Sequence, residues 1–285
     1  MVAFIAGRPG DHKASHFIIG IARGVAGALL FALPMLMTME MWFLGLYVNR
    51  SRLLLLCILN LPLLWVLARR IGFEKTTTWH GALRDAVIAY GLGIAVSAAI
   101  LLLLGVIDDQ WTISIMVAKI ALQSVPASIG ALLGRSQLGL RSEERDKQDG
   151  EYEGETGYLH ELFMMLVGSL FLSLNVAPTD EMILIAYKIS PLHTACIALI
   201  SVTLMHGFVY ALHFKGSHSI SEGMPWWEPF IRFTMPGYVI AIVVSIYALW
   251  TFERLDHTSL SQVLTAAVIL GFPASIGAAA ARLIL

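Results

Sequence analysis

The chain has 285 residues, 57% of them hydrophobic and only 14% charged, with a mean hydropathy of +0.74 and a net charge of −1. A soluble domain carries about 25% charged residues, so a water-soluble globule is excluded, and nothing in the charge balance suits a nucleic acid. Several apolar runs exceed the roughly 18 residues that cross about 30 Å of hydrocarbon, and they are continuous rather than alternating, which favours helices over a membrane β-barrel.

The N-terminal stretch MVAFIAGRPGDHKASHF lacks the layout of a cleaved signal, so the first span is expected to serve for targeting. Hydropathy places eight spans near 22–47, 53–72, 84–106, 112–134, 160–187, 192–214, 230–251 and 260–283. The expected fold is therefore an all-α polytopic membrane protein. Between the fourth and fifth spans runs RSQLGLRSEERDKQDGEYEGETG, which has too few apolar residues to fold alone. It reads as a solvated acidic linker over 136–158, dividing the chain into 1–135 and 159–285. Cys57 and Cys196 lie in apolar runs; they are expected as buried small hydrophobes, with no disulfide framework.

Lys and Arg set the orientation. With the N-terminus inside, fourteen fall in inner segments and four (Arg50, Arg52, Lys188 and Arg254) in outer ones; the opposite orientation inverts the bias. Both termini are expected in the cytoplasm.

The chain repeats itself. VPASIGALLGR at 125–135 returns as FPASIGAAAAR at 272–282, which aligns spans four and eight at an offset of 147. Spans three and seven align at 148, pairing Trp79 with Trp227, Arg84 with Arg232, Tyr90 with Tyr238 and Asp108 with Asp256. Spans one and five align at 141, where TMEM (38–41) meets TDEM (179–182). Spans two and six share little beyond the CI at Cys57 and Cys196. Two units of four spans each enter the membrane in the same sense, so the expected arrangement is two parallel four-helix repeats around a pseudo-twofold axis along the membrane normal.

Two acids fall at matched places. Glu40 stands in FALPMLMTMEMWFLGLYV, in the outer half of the first span, and Glu181 in FLSLNVAPTDEMILIAYK, in the fifth. A carboxylate in the membrane interior costs about 2.5–3.5 kcal/mol on insertion scales and normally marks an ion pathway; the alternative is a structural ion pair or a boundary residue. Thr38 and Thr179 add hydroxyls two residues earlier, and Asp180 adds an acid on one side only. The NVAP interruption is expected to free a carbonyl near Asn175, and Pro34 to kink the first span. These are hard oxygen ligands, so Glu40 and Glu181 would suit a monovalent or divalent cation rather than a soft metal.

The PASIGA blocks place Pro126, Ser128, Pro273 and Ser275 in spans four and eight. Small residues there allow close helix packing; symmetric proline kinks forming a constriction are the sharper alternative. Lys119 has Ala266 at its equivalent site, and is expected to pair with Glu40, Glu181 or Asp180 as a counter-charge, or to snorkel outward. Arg84, Arg232, Arg135 and Arg282 read as snorkelling anchors, and Trp42, Trp79, Trp226 and Trp227 as interface-belt residues. His206 and His213 share a helix face without a facing histidine on another span, so haem is not expected. Metalloprotease, hydrolase-elbow and phosphate-loop motifs are absent.

Eight spans, a duplicated half and the paired TMEMW and APTDE motifs resemble a family of uncharacterised bacterial integral membrane proteins of similar length. The resemblance covers essentially the whole chain. It implies an eight-span fold in a bacterial inner (cytoplasmic) membrane and lends nothing to mechanism. From the residues themselves the expected function is cation passage, as an ion channel, with Glu40 and Glu181 as binding or selectivity carboxylates and the outer acids Asp108, Asp109 and Asp256 concentrating cations. A secondary carrier using the same carboxylates, a membrane-embedded lipid-modifying enzyme, and a scaffold or sensor are the alternatives. The expected partners are membrane lipids and inorganic cations; a homodimer would close a ring of four acids. No cofactor is expected beyond a bound cation.

Overall fold

A computed structural model describes residues 9–71, 78–138, 155–211 and 227–284. Among them all regular structure is helical: α1 (Pro9–Leu36), α2 (Met39–Tyr47), α3 (Arg50–Ile71), α4 (Trp79–Leu103), α5 (Ile113–Leu138), α6 (Glu155–Val176), α7 (Asp180–Lys188), α8 (Pro191–Ala211), α9 (Trp227–Pro229), a π-helical turn over Phe230–Thr234, α10 (Met235–Thr251) and α11 (Leu260–Ile284). Eight stretches are long and apolar enough to cross a bilayer: Ile18–Leu36, Arg50–Arg69, Trp79–Leu103, Ile113–Gly134, Gly157–Val176, Pro191–Phe208, Trp227–Thr251 and Leu260–Ala281. The eight-span all-α fold is as expected. Residues 139–154 of the expected linker, His213, Trp226 and the side chains of Arg135 and Arg282 lie outside the described residues.

The first and fifth spans are shorter than their apolar runs. Each run is cut in two: α1 stops at Leu36 and α2 restarts at Met39, while α6 stops at Val176 and α7 restarts at Asp180. A nine-residue helix is about 13–14 Å long, too short to cross alone. The cause of the first cut differs from expectation. Pro34 lies inside a continuous α1, and the chain leaves the helix only at Met37 and Thr38.

The chain forms two compact units: Met1–Met37 with Leu53–Leu140, and Thr38–Arg52 with Arg141–Leu285. In the first, α5 packs on α1 and α4, and α1 touches α4; in the second, α11 packs on α6, α10, α8 and α7, and α6 touches α10.

Glycine sets the tightest of these contacts. A Cβ built on Gly27 of α1 would collide with the Gly130 carbonyl oxygen and the Gly134 Cα of α5. A Cβ on Gly168 of α6 would collide with the Gly277 carbonyl oxygen of α11. Gly130 and Gly277 are the glycines of the two PASIGA blocks. Lipid tails are as apolar as leucine, so no water-driven force clamps helices in a bilayer; bare backbone lets them approach until dispersion does the work.

The C-terminal ends of α4 and α10 close in the same way. Val106 N–H donates to Leu101 O (2.9 Å) and Gly105 N–H to Leu102 O (3.0 Å); Arg254 N–H donates to Leu249 O (2.8 Å) and Glu253 N–H to Trp250 O (3.2 Å). This is the helix-ending motif that needs a left-handed residue. Gly105 supplies it at φ +67°, and Glu253 supplies it at φ +61°. For a residue with a Cβ that conformation is strained, by roughly 1–2 kcal/mol.

Gly27→Val and Gly168→Val should each lower the melting temperature in detergent, since overpacking a tight contact costs about 1–3 kcal/mol or more. Gly91→Ala, where a Cβ meets nothing within 4 Å, should leave it unchanged or raise it.

Candidate functional site

The two helix restarts position the acids singled out above. Thr38 and Thr179 are extended N-caps, at φ −92°, ψ 128° and φ −71°, ψ 142°. Glu40 falls in the first turn of α2, and Asp180 and Glu181 in the first turn of α7. The free N–H groups of a first turn carry partial positive charge, so a carboxylate there is favoured by about 0.3–1 kcal/mol. Both glutamates therefore sit at the start of a separate short helix, past the end of the span, rather than within one long span. Glu40 is half-buried and Glu181 exposed. Among the described residues neither forms an ion pair. Glu181 and Asp180 border an open groove of about 420 Å³ with Ile183, Leu184 and Tyr187.

The α6–α7 gap is held from within. Thr179 Oγ1 donates to Val176 O (2.8 Å) and its N–H to the same oxygen (3.1 Å). Asn175 Nδ2 donates back to Phe171 O (2.7 Å), leaving Oδ1 buried without a partner. The guanidinium of Arg254 reaches in from the α10–α11 loop: Nη2 donates to Pro178 O, and Nη1 pairs with Asp180 at 3.0 Å. Asp180, expected as an open ligand, is thus engaged by an internal cation, although its side chain is 74% exposed.

A second arginine works one loop away within the same unit. Arg52 pairs with Asp256 (3.0 Å), donates to Trp250 O (2.8 Å) and lies 4.8 Å from the Trp250 ring centroid. The strained Glu253 accepts the Asn49 N–H. Tyr47, at the end of α2, feels this charge: burial pushes its hydroxyl above the usual tyrosine range, Arg254 opposes the rise, and Asp180, Glu253 and Glu40 add to it. Glu40, Asp180, Glu253 and Arg254 therefore share the neighbourhood of one phenol ring. A small cavity of about 10 Å³ lies beside Arg254, between Tyr187, Thr258, Gln262 and Ala266. Among the described residues no three His, Cys, Asp or Glu side chains converge as a metal site would require.

Lys119, expected as a counter-charge or a snorkelling side chain, is held inside the first unit. It is buried, donates to Val106 O (2.9 Å) and lies 4.1 Å from the Trp111 ring centroid. It ties α5 to the left-handed turn that ends α4, because a backbone carbonyl and an aromatic face together satisfy a buried ammonium. Pro126 and Pro273 lie inside continuous helices. Ser128 and Ser275 turn their hydroxyls onto their own helix, at Val125 O (2.7 Å) and Phe272 O (2.8 Å), and both are buried. That is the geometry of packing. Cys57 is half-buried and Cys196 exposed rather than buried; in a bilayer an exposed thiol still meets an apolar surface.

Arg254, Arg52 and Glu253 were missed because their partners are remote in sequence. One signal was present: the 148-residue offset sets Glu253 opposite Gly105, an acid where the aligned helix end carries a glycine. Asp85, fully buried on α4 with Arg84 Nη2 at 3.4 Å, was also passed over.

Among the described residues eight apolar helices in two packed units define a multi-pass α-helical integral membrane protein. The chain belongs to the family described as "Putative integral membrane protein (DUF2391)", whose model matches residues 20–285. Comparison with curated proteins and with solved structures found no match.

Arg254→Ala should destabilise by about 1–3 kcal/mol, because it removes the pair and leaves the Pro178 carbonyl unsatisfied. Asp180→Asn should cost less than about 1 kcal/mol, since an exposed pair contributes little. Thermal unfolding of both variants in one detergent checks the order.

Proposed function

We propose that the protein passes cations across a bacterial inner membrane, as a channel, with Glu40 and Glu181 as its binding or selectivity carboxylates. The observation that carries this reading is the matched pair of breaks. Each cuts an apolar run, each restarts on an extended threonine, and each sets a glutamate in the first turn of the new helix without an ion pair among the described residues. Helices broken beside a membrane span recur where ions are handled, and carboxylates without an ion pair are hard oxygen ligands for a cation.

The reading includes an internal duplication into two four-span units entering in the same sense, with both termini in the cytoplasm. It is supported by residues spaced as the sequence offsets require. Gly27 and Gly168 are 141 apart, and Gly130 and Gly277 are 147 apart; Gly27 with Gly130, and Gly168 with Gly277, make the same kind of crossing, each in its own unit. The helix-ending bonds at Gly105 and Glu253 recur 148 residues apart. Inorganic cations and membrane lipids are the partners, and no cofactor beyond a bound cation is required.

Purified protein in liposomes should pass a monovalent or divalent cation down its gradient, and Glu40→Gln and Glu181→Gln should each reduce the flux at least about tenfold, as expected for a lost charge at a selectivity site. No wild-type flux under any cation gradient sinks the reading. Flux unchanged in both variants removes the site but not transport. Flux that saturates and requires a countermoving ion replaces the channel by a carrier.

A further inference from the structure

The buried polar side chains of the two units differ in kind. Among the described residues those of the second unit are all Ser or Thr, whereas the first unit also holds Asn60, Asp85, Lys119 and Gln123. The centre of this polar set is a hydrogen-bonded knot at mid-span. Asn60 Nδ2 donates to Ser128 Oγ at 2.9 Å. Ser128 has one proton, and it goes to Val125 O. Ser128 therefore only accepts from Asn60, which fixes the amide with Oδ1 turned away. Ser124 likewise gives its proton to Ala121 O (2.8 Å). Tyr90, one turn before Gly93 on α4, lies beside Ser124 and Cys57.

Two neighbours extend the knot outward. A Cβ built on Gly93 would meet Ser124 O at 2.7 Å and Ser128 N at 2.8 Å, so α4 lies close against α5 there, and Ser97 is one turn further along the same face. Gln123 Nε2 donates to Met35 O (3.3 Å) in the last turn of α1. Three oxygens remain without a partner: Asn60 Oδ1, Ser97 Oγ and Gln123 Oε1. Their residues are 3%, 0% and 1% exposed. An unpaired buried acceptor costs about 1–3 kcal/mol, and hydrocarbon offers no relief. Asn60 Oδ1 and Gln123 Oε1 need a donor, and the Ser97 hydroxyl needs a partner for its proton or its lone pairs.

Two guests of the right size donate or attract to such oxygens: a metal cation and water. The nearest fixed charge decides between them. Lys119 stands one turn outward from Gln123 on α5, and its ammonium opposes a second cation in a low-dielectric interior. Water is neutral and brings two protons. We propose that the interior of the first unit binds ordered water at mid-membrane, held by Asn60 Oδ1, Ser97 Oγ and Gln123 Oε1. This site is separate from Glu40 and Glu181 and does not rest on cation passage.

Radiolytic footprinting of the protein in nanodiscs, in water labelled with oxygen-18, tests it. Hydroxyl radicals born from bound water oxidise the nearest reactive side chains, here Tyr90 and Cys57. Wild type should incorporate label at Tyr90, and Asn60→Leu, Gln123→Leu and the volume-sparing Ser97→Ala should each reduce that incorporation at least about threefold, as removal of one of the few partners of a buried water requires. Labelling of Tyr158 should stay unchanged. If Asn60→Leu does not fold, the other two variants carry the test. Absence of label at Tyr90 in wild type, or equal label in all variants, overturns the proposal. A melting temperature that rises with Na⁺ or K⁺ in wild type and not in Ser97→Ala or Gln123→Leu assigns the site to a cation and also overturns it.

Discussion

Backbone against backbone at Gly27–Gly130–Gly134 and at Gly168–Gly277 is the contact on which each unit depends. A bilayer removes the hydrophobic effect as a force between helices, because lipid and side chain are equally apolar. What remains is close contact and hydrogen bonding. The crossing brings α1 onto α5 and α6 onto α11, and the last residues of α1 and α6 are thereby placed before the chain breaks.

The breaks themselves are a compromise between hydropathy and backbone satisfaction. Each run is apolar enough to continue, yet the chain stops and restarts on an extended threonine. Stopping strands carbonyls at one helix end and N–H groups at the next start. The protein answers with its own groups: Thr179 and Arg254 take carbonyls, and Glu40, Asp180 and Glu181 stand in the first turns of the new helices. Arg254 joins two of these answers by holding Pro178 O and Asp180 together.

Much of the fold was legible in the sequence, and the parts that were not share a cause. Spans are a property of composition over some twenty residues, and the eight runs stood out without any partner information. PASIGA was legible as packing because Ala, Ser and Gly have little else to offer a helix. The break near Thr38 was legible only in part, since Pro34 drew attention three residues too early; a proline can be absorbed inside a helix when a neighbour satisfies the freed carbonyl. Lys119 was misread because its partner is a main-chain oxygen, which every residue possesses and no pattern announces. Arg52 with Asp256, and Arg254 with Asp180, were illegible because pairs far apart in sequence become neighbours only after the helices have crossed.

The glycine crossings also have a mechanical side. Two helices touching through their main chains have no flexible side chains between them to take up a sliding motion, so α1 with α5, and α6 with α11, behave as stiff beams. In the second unit the ladder is open at residues 177–179, and there Arg254, by holding Pro178 O and Asp180, ties the start of α7 to the α10–α11 loop.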